Sequence, residues 1–133
     1  MTGLKRVLFI CVENAGRSQM AEAFANQYGN GKLYASSAGV MLAERVNPLV
    51  IEVMKEKGID MSMKKPKMMT AEMAEKADMI ITMGCSVEGI CPAPLLKNVT
   101  DWKLADPKGK SIEEVRRIRD EVEKKVLELI ASI

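Results

Sequence analysis

The segment Cys11-Val12-Glu13-Asn14-Ala15-Gly16-Arg17-Ser18 sets a cysteine six residues before an arginine. Before it runs Val7-Leu8-Phe9-Ile10-Cys11-Val12, apolar throughout, which reads as a parallel strand covered on both faces. After it, Met20, Ala21, Phe24 and Tyr28 recur at helical spacing. The segment is therefore a turn from strand to helix. Such a turn can wrap a tetrahedral oxyanion in the N–H groups of Val12, Glu13, Asn14, Ala15, Gly16 and Arg17, at the positive end of the helix dipole. Gly16 is expected to supply a positive φ, and the same field favours the Cys11 thiolate, the form that attacks an electrophile. Arg17 can clamp two oxyanion oxygens with its planar fork, and Ser18 can donate to the thiolate or to the departing sulfur. A plainer reading also fits the spacing: Cys11 as a packed strand thiol and Arg17 as the start of a surface helix.

The chain has 133 residues, three cysteines and no histidine. A Ser-His-Asp or Cys-His mechanism within one subunit is excluded, as are histidine-containing zinc sites. The acid that protonates a leaving oxygen must then be a carboxylate, a lysine or a tyrosine. Asp106 is the best candidate, since Pro107 stiffens the Leu-Ala-Asp-Pro-Lys-Gly loop ahead of the last helix, although Asp-Pro is also a common turn. A chain of this size buries about two thirds of its unfolded surface and needs no disulfide staple. Cys85 and Cys91 are thus free for reaction, for half of a metal site, or for packing.

A net charge of +2 and 4% aromatic residues argue against nucleic-acid binding, and the apolar run is too short to span a membrane. A cytoplasmic monomer without resident cofactor or metal is expected.

The elements that must position these residues alternate. Helix 17–28 stops at Gly29-Asn30-Gly31, and a second strand spans Lys32 to Ser37. Asn47 caps a second helix that turns Val50, Ile51 and Met54 inward and ends at Gly58. The segment 60–69 reads as irregular, and Thr70 caps a short helix to Lys76. Strands follow at 77–83 and 97–102, separated by a loop rich in glycine and proline. Ser111 caps a final helix with a stripe at Ile112, Val115, Ile118, Val122, Val126, Leu129 and Ile133. This order predicts an α/β fold: one small domain with a central four-stranded parallel sheet and helices on both faces. Ligands in such sheets bind beyond the carboxyl ends of the strands, which for the first strand means Cys11.

Cys11, Arg17-Ser18, Asp106-Pro107 and this α/β frame together resemble the low-molecular-weight protein tyrosine phosphatase superfamily over nearly the whole chain. Within it, Arg17-Ser18-Gln19-Met20-Ala21-Glu22, Ser37-Ala38-Gly39, Thr82-Met83-Gly84-Cys85, Cys91-Pro92 and Asp101-Trp102 with Asp106-Pro107 are similar to its arsenate reductases. The phosphatases usually have proline at Gln19, and tyrosines where this chain has Lys108-Gly109-Lys110. The resemblance implies that Cys11 attacks arsenate, Asp106 protonates the leaving hydroxide, Cys85 attacks the Cys11 sulfur and Cys91 resolves the resulting disulfide. Thioredoxin or a low-molecular-weight thiol would be the reductant, with phosphate or sulfate competing for the loop. The better-known members have one more residue between their relay cysteines than the five, Ser86 to Ile90, found here. Some members hold a potassium ion beside the loop through groups corresponding to Asn14, Glu22 and Ser37 and a carboxylate. Lys67 stands at the carboxylate's place, so the resemblance implies an ammonium paired with Glu22 instead, with Asn14 and Ser37 shaping the loop. The phosphatase itself and a non-catalytic oxyanion or arsenite binder are the alternative functions.

Of the eleven methionines, Met54, Met79 and Met83 are expected in the core. Met61, Met63, Met68 and Met69 are expected at an adaptable surface, and Lys64-Lys65-Pro66-Lys67 is expected to form a solvated loop.

Overall fold

The computed structural model describes residues 4–84 and 99–133. The elements run β1 (Lys5–Cys11), α1 (Arg17–Tyr28), β2 (Leu33–Gly39), α2 (Pro48–Lys55), α3 (Ala71–Lys76), β3 (Met79–Thr82), β4 (Val99–Asp101) and α4 (Ile112–Ser132). The strands form one sheet in the order β2-β1-β3-β4, with every neighbouring pair parallel. The chain leaves β1 for one neighbour and returns past it to the other, so the strand order reverses at β1. A crevice opens at such a reversal, beyond the strand's carboxyl end. Cys11 is the last residue of β1.

Side chains along β1 alternate between two cores. Val7, Phe9 and Cys11 join the larger one with Met20, Phe24, Val50, Val53 and Val122, beneath α1, α2 and α4. Leu8 and Ile10 join Ala38 and Ile80 in a smaller one, covered by Met69, Met73 and Ala74 around α3. Helices thus cover both faces, and the uninterrupted apolar character of β1 follows from that.

Local differences from the expected elements have local causes. Val50, Val53 and Met54, at steps of three and four, form the buried stripe of α2, whereas Ile51 lies off that stripe and is only partly buried. Strand β3 starts at Met79 because Ala77 closes α3, and Asp78 pairs with Arg6 through both its amide and its carboxylate. Gly58, at φ 78°, turns the chain back after α2 and sends Met61 fully into the larger core, contrary to its expected surface position. Met63 and Met68 are exposed, and Met69 packs against the smaller core. Cys85, Cys91 and the loop between β3 and β4 from residue 85 lie outside the described residues.

Ser111 caps α4 by accepting from the Glu114 amide, and α4 packs Val115, Ile118, Val122 and Val126 inward. Arg119 reaches the Val53 carbonyl at 2.9 Å and Glu56 at 2.7 Å, while Arg116 also binds Glu56. Hydrogen bonds from Arg116 and then Arg119 hold the Glu56 carboxyl down to about 2, below its usual 4.5. A depressed carboxylate stabilises the fold above its unfolded pKa, and that contribution fades as pH falls through the folded value. Glu56→Gln should therefore lower the denaturation midpoint at neutral pH. The gap from the parent protein should close between pH 4.5 and about 2 in a pH series of urea melts.

Candidate active site

The turn after β1 is fastened from outside by its carbonyl groups. The Val12 oxygen accepts from Val40 and Met41, that of Glu13 from Ala43, and that of Ala15 from Asn47. The Asn14 oxygen accepts from Gln19 Nε2 and the Gly16 oxygen from Met20. Five consecutive carbonyls are thus engaged by hydrogen bonds within the protein. A loop so arranged, opening onto a helix N-terminus, can receive a tetrahedral oxyanion. The residue with positive φ is Asn14, at 53°, and not Gly16, whose φ is −143°. Asparagine tolerates the left-handed region, so the loop bends two residues earlier than the glycine suggests. Gly16 serves by lacking a Cβ: one built there would stand 2.7 Å from Pro107 Cγ.

Asn14 is fully buried and organises the hydrogen bonds that lead to Cys11. Its Oδ1 accepts from the Lys67 backbone amide at 2.8 Å and from Gln19 Nε2 at 2.9 Å. A backbone N–H can only donate, so this contact fixes which end of the Asn14 amide is oxygen. Its Nδ2 then donates to Ser18 Oγ at 2.8 Å. With that lone pair engaged, the Ser18 hydrogen is free for Cys11 Sγ, 2.8 Å away. Direction therefore passes from Lys67 through Asn14 and Ser18 to the thiol.

Arg17 is only 5% exposed. Its Nη1 donates to the carbonyls of Met83 at 2.6 Å and Leu104 at 2.9 Å, and Nη2 lies 3.7 Å from Asp106 Oδ2. Asp106 is half exposed, and its Oδ1 accepts from the Lys108 amide at 3.0 Å. Cys11, Glu13, Gly16, Arg17, Asp106, Pro107 and Lys108 share one cleft of about 450 Å³, whose lining also includes Leu42, Glu44, Arg45 and Asn47. Lys108 Nζ binds Glu13 at 3.0 Å, and that contact raises the lysine above its ordinary pKa.

Beneath the loop, Glu22 accepts from Ser37 Oγ at 2.6 Å and from Lys67 Nζ at 3.2 Å. Lys64 Nζ binds its other oxygen, also at 3.2 Å. The lysine-rich segment is thus docked on α1, not simply solvated. Lys64 and the hub role of Gln19 are additions to the residues expected from sequence. The one sequence signal for Gln19 was its presence where the phosphatases have proline. Among the described residues no three histidine, cysteine or acidic side chains are grouped to hold a metal ion, and no helix is long and apolar enough to cross a membrane.

Residues 6–133 match the low molecular weight phosphotyrosine protein phosphatase family. The chain belongs to this family. Among its relatives, the glutaredoxin arsenate reductase of Synechocystis sp. is 39% identical over 98% of this chain and 99% of its own. A solved arsenate reductase in the phosphate-binding state superposes with a TM-score of 0.84 at 38% identity, over 98% of this chain and 99% of that one. The thioredoxin-dependent arsenate reductase of Corynebacterium glutamicum gives 0.81 at 37% identity, covering 98% of this chain and 62% of the longer one. The four-stranded parallel sheet with helices on both faces is therefore the low-molecular-weight phosphatase fold.

Asn14→Ala removes two acceptor contacts, a donor and a residue suited to positive φ. Taking from Ser18 Oγ its donor and from the Lys67 amide its acceptor costs on the order of 2 kcal/mol. Phosphate affinity, measured by calorimetry, should fall on the order of tenfold, with slower alkylation of Cys11 by iodoacetamide.

Proposed function

We propose that this protein reduces arsenate to arsenite through a covalent adduct on Cys11 and a relay of three thiols. The observation that carries the reading is the cleft in which Cys11, bonded to Ser18 at 2.8 Å, shares its walls with Arg17 and Asp106. The relatives that bear the name arsenate reductase support it.

Arsenate enters the loop, held by the amides of residues 12–17 and by the nitrogens of Arg17 that face the cleft. The Cys11 thiolate attacks arsenic, an As–O bond breaks, and Asp106 delivers a proton so that water leaves. The Cys85 thiolate then attacks Cys11 Sγ, forming the Cys11–Cys85 disulfide. The S–As electron pair stays on arsenic, which departs as arsenite with two electrons gained. Cys91 attacks the Cys85 sulfur, freeing Cys11 as thiolate and leaving a Cys85–Cys91 disulfide for thioredoxin or a low-molecular-weight thiol to reduce. Two thiols lose one electron each, which balances the reduction of arsenic. Such a reductant and free thiols belong to the cytoplasm.

The cleft's composition favours a bare oxyanion over phosphotyrosine. None of the chain's five aromatic residues lines it, and residues 85–98 contain none in sequence. Phosphate esters remain chemically possible at the same loop, and phosphatase turnover is expected as a secondary activity.

A monovalent cation does not fit beside the loop, because the Glu22 carboxylate already meets two ammonium groups and the Ser37 hydroxyl. No step depends on one.

Cys11→Ser should abolish both arsenate reduction and aryl phosphate hydrolysis, whereas Cys85→Ser should abolish only the former. Peptide mass mapping after one arsenate turnover without reductant should find Cys85–Cys91; full-rate reduction by Cys85→Ser with thioredoxin as donor would sink the relay. Replacing sodium by potassium should leave the parent's turnover unchanged. The double variant Lys64→Ala/Lys67→Ala should bind oxyanion more weakly and recover partly with added potassium.

A further inference from the structure

Three consecutive residues of the acid's loop each touch a different residue of the oxyanion loop. Asp106 Oδ2 lies 3.7 Å from Arg17 Nη2. Pro107 is buried against the bare Cα of Gly16. Lys108 Nζ binds Glu13 Oε2 at 3.0 Å. Lys108 also donates its backbone amide to Asp106 Oδ1, so the residue that grips Glu13 orients the carboxyl two positions before it. Asp106 is otherwise weakly held: it is half exposed, and the Arg17 guanidinium stands 3.7 Å away.

We propose that Lys108 is a positioning residue for Asp106, with the Glu13–Lys108 ion pair strapping the acid's loop onto the oxyanion loop. The proposal rests on the reading of Asp106 as the acid. The contact is exposed, with the Lys108 side chain 70% accessible, so it is weak and screened by salt. An exposed pair tunes the position of a carboxyl; it does not decide whether the protein folds.

The consequence is selective. Proton delivery matters for a poor leaving group such as hydroxide or phenolate, and little for p-nitrophenolate. Lys108→Ala keeps the backbone amide but loses the strap. It should lower kcat for arsenate and for phenyl phosphate about two- to fivefold, with KM nearly unchanged, and leave p-nitrophenyl phosphate within about 1.5-fold of the parent. Lys108→Arg should restore both rates, and raising sodium chloride to about 1 M should impose the same selectivity on the parent protein. In an Asp106→Asn background, Lys108→Ala should have no further effect.

Equal loss for both esters, or a loss that persists beside Asp106→Asn, would overturn the proposal. A second measurement does not depend on turnover. Glu13→Gln leaves Lys108 in place, and hydrogen exchange at the Lys108 amide should quicken as Asp106 loosens; unchanged exchange overturns the strap. Absence of arsenate turnover in the parent would instead count against the functional reading, with the exchange result still deciding the strap.

Discussion

The Arg17 guanidinium, buried beneath the cleft, is the contact on which the rest of the site depends. One of its nitrogens donates to two carbonyls from opposite sides: Met83, just beyond β3, and Leu104, two residues before Asp106. A buried cation must be surrounded by acceptors, because one left without them costs far more than an ordinary hydrogen bond returns. These carbonyls meet that requirement, and in doing so they tie the end of β3 to the loop that carries Asp106. Planarity matters here, since a guanidinium can be satisfied along one edge by backbone and still present another edge to a ligand. A lysine at position 17 would have no such second edge.

The same economy governs the charges under the loop. Glu22 is nearly buried and would oppose an oxyanion a few residues away if left alone. Lys64 and Lys67 each supply an ammonium to one of its oxygens, and Ser37 adds a hydroxyl. The segment carrying those lysines also provides the Lys67 amide that orients Asn14. Neutralising the carboxylate and directing the Ser18 hydroxyl are therefore two effects of one docked segment. Gln19 secures it by donating to the Lys65 carbonyl as well as to Asn14. Its own Oε1 is buried with no partner among the described residues, a local cost beside a donor that serves both sides.

Much of this was legible in the chain because it is local. The apolar run ending at Cys11, the helical spacing after Arg17 and the caps at Asn47, Thr70 and Ser111 each concern residues within a few positions of one another, where backbone sterics and periodicity decide. What escaped is set by tertiary approach. Gly16 looked like the residue needed for a bend, yet the bend falls on Asn14, and the glycine is required because Pro107, some ninety positions on, lies against it. Met61 sits in a polar, lysine-rich stretch, and only the turn at Gly58 aims it at the core. Lys64 differs in no local respect from Lys65; its role depends on where α1 presents Glu22.

Gly84 shows how tightly the two halves of the proposed reaction are joined. It adopts φ 111°, and a Cβ there would stand 2.9 Å from both Arg17 Nη1 and the Leu104 oxygen. Its amide is held by Asp101 Oδ1 at 2.8 Å, and the same oxygen accepts from Thr82 at 2.7 Å. The chain at the end of β3 is thus gripped on one side by Asp101 from β4 and on the other by Arg17. Any larger residue at position 84 would have to displace the guanidinium or the Leu104 carbonyl, two residues before Asp106. Cys85 is the next residue in sequence. The thiol proposed to attack the Cys11 sulfur of the adduct therefore follows directly, in sequence, the glycine that Arg17 packs against.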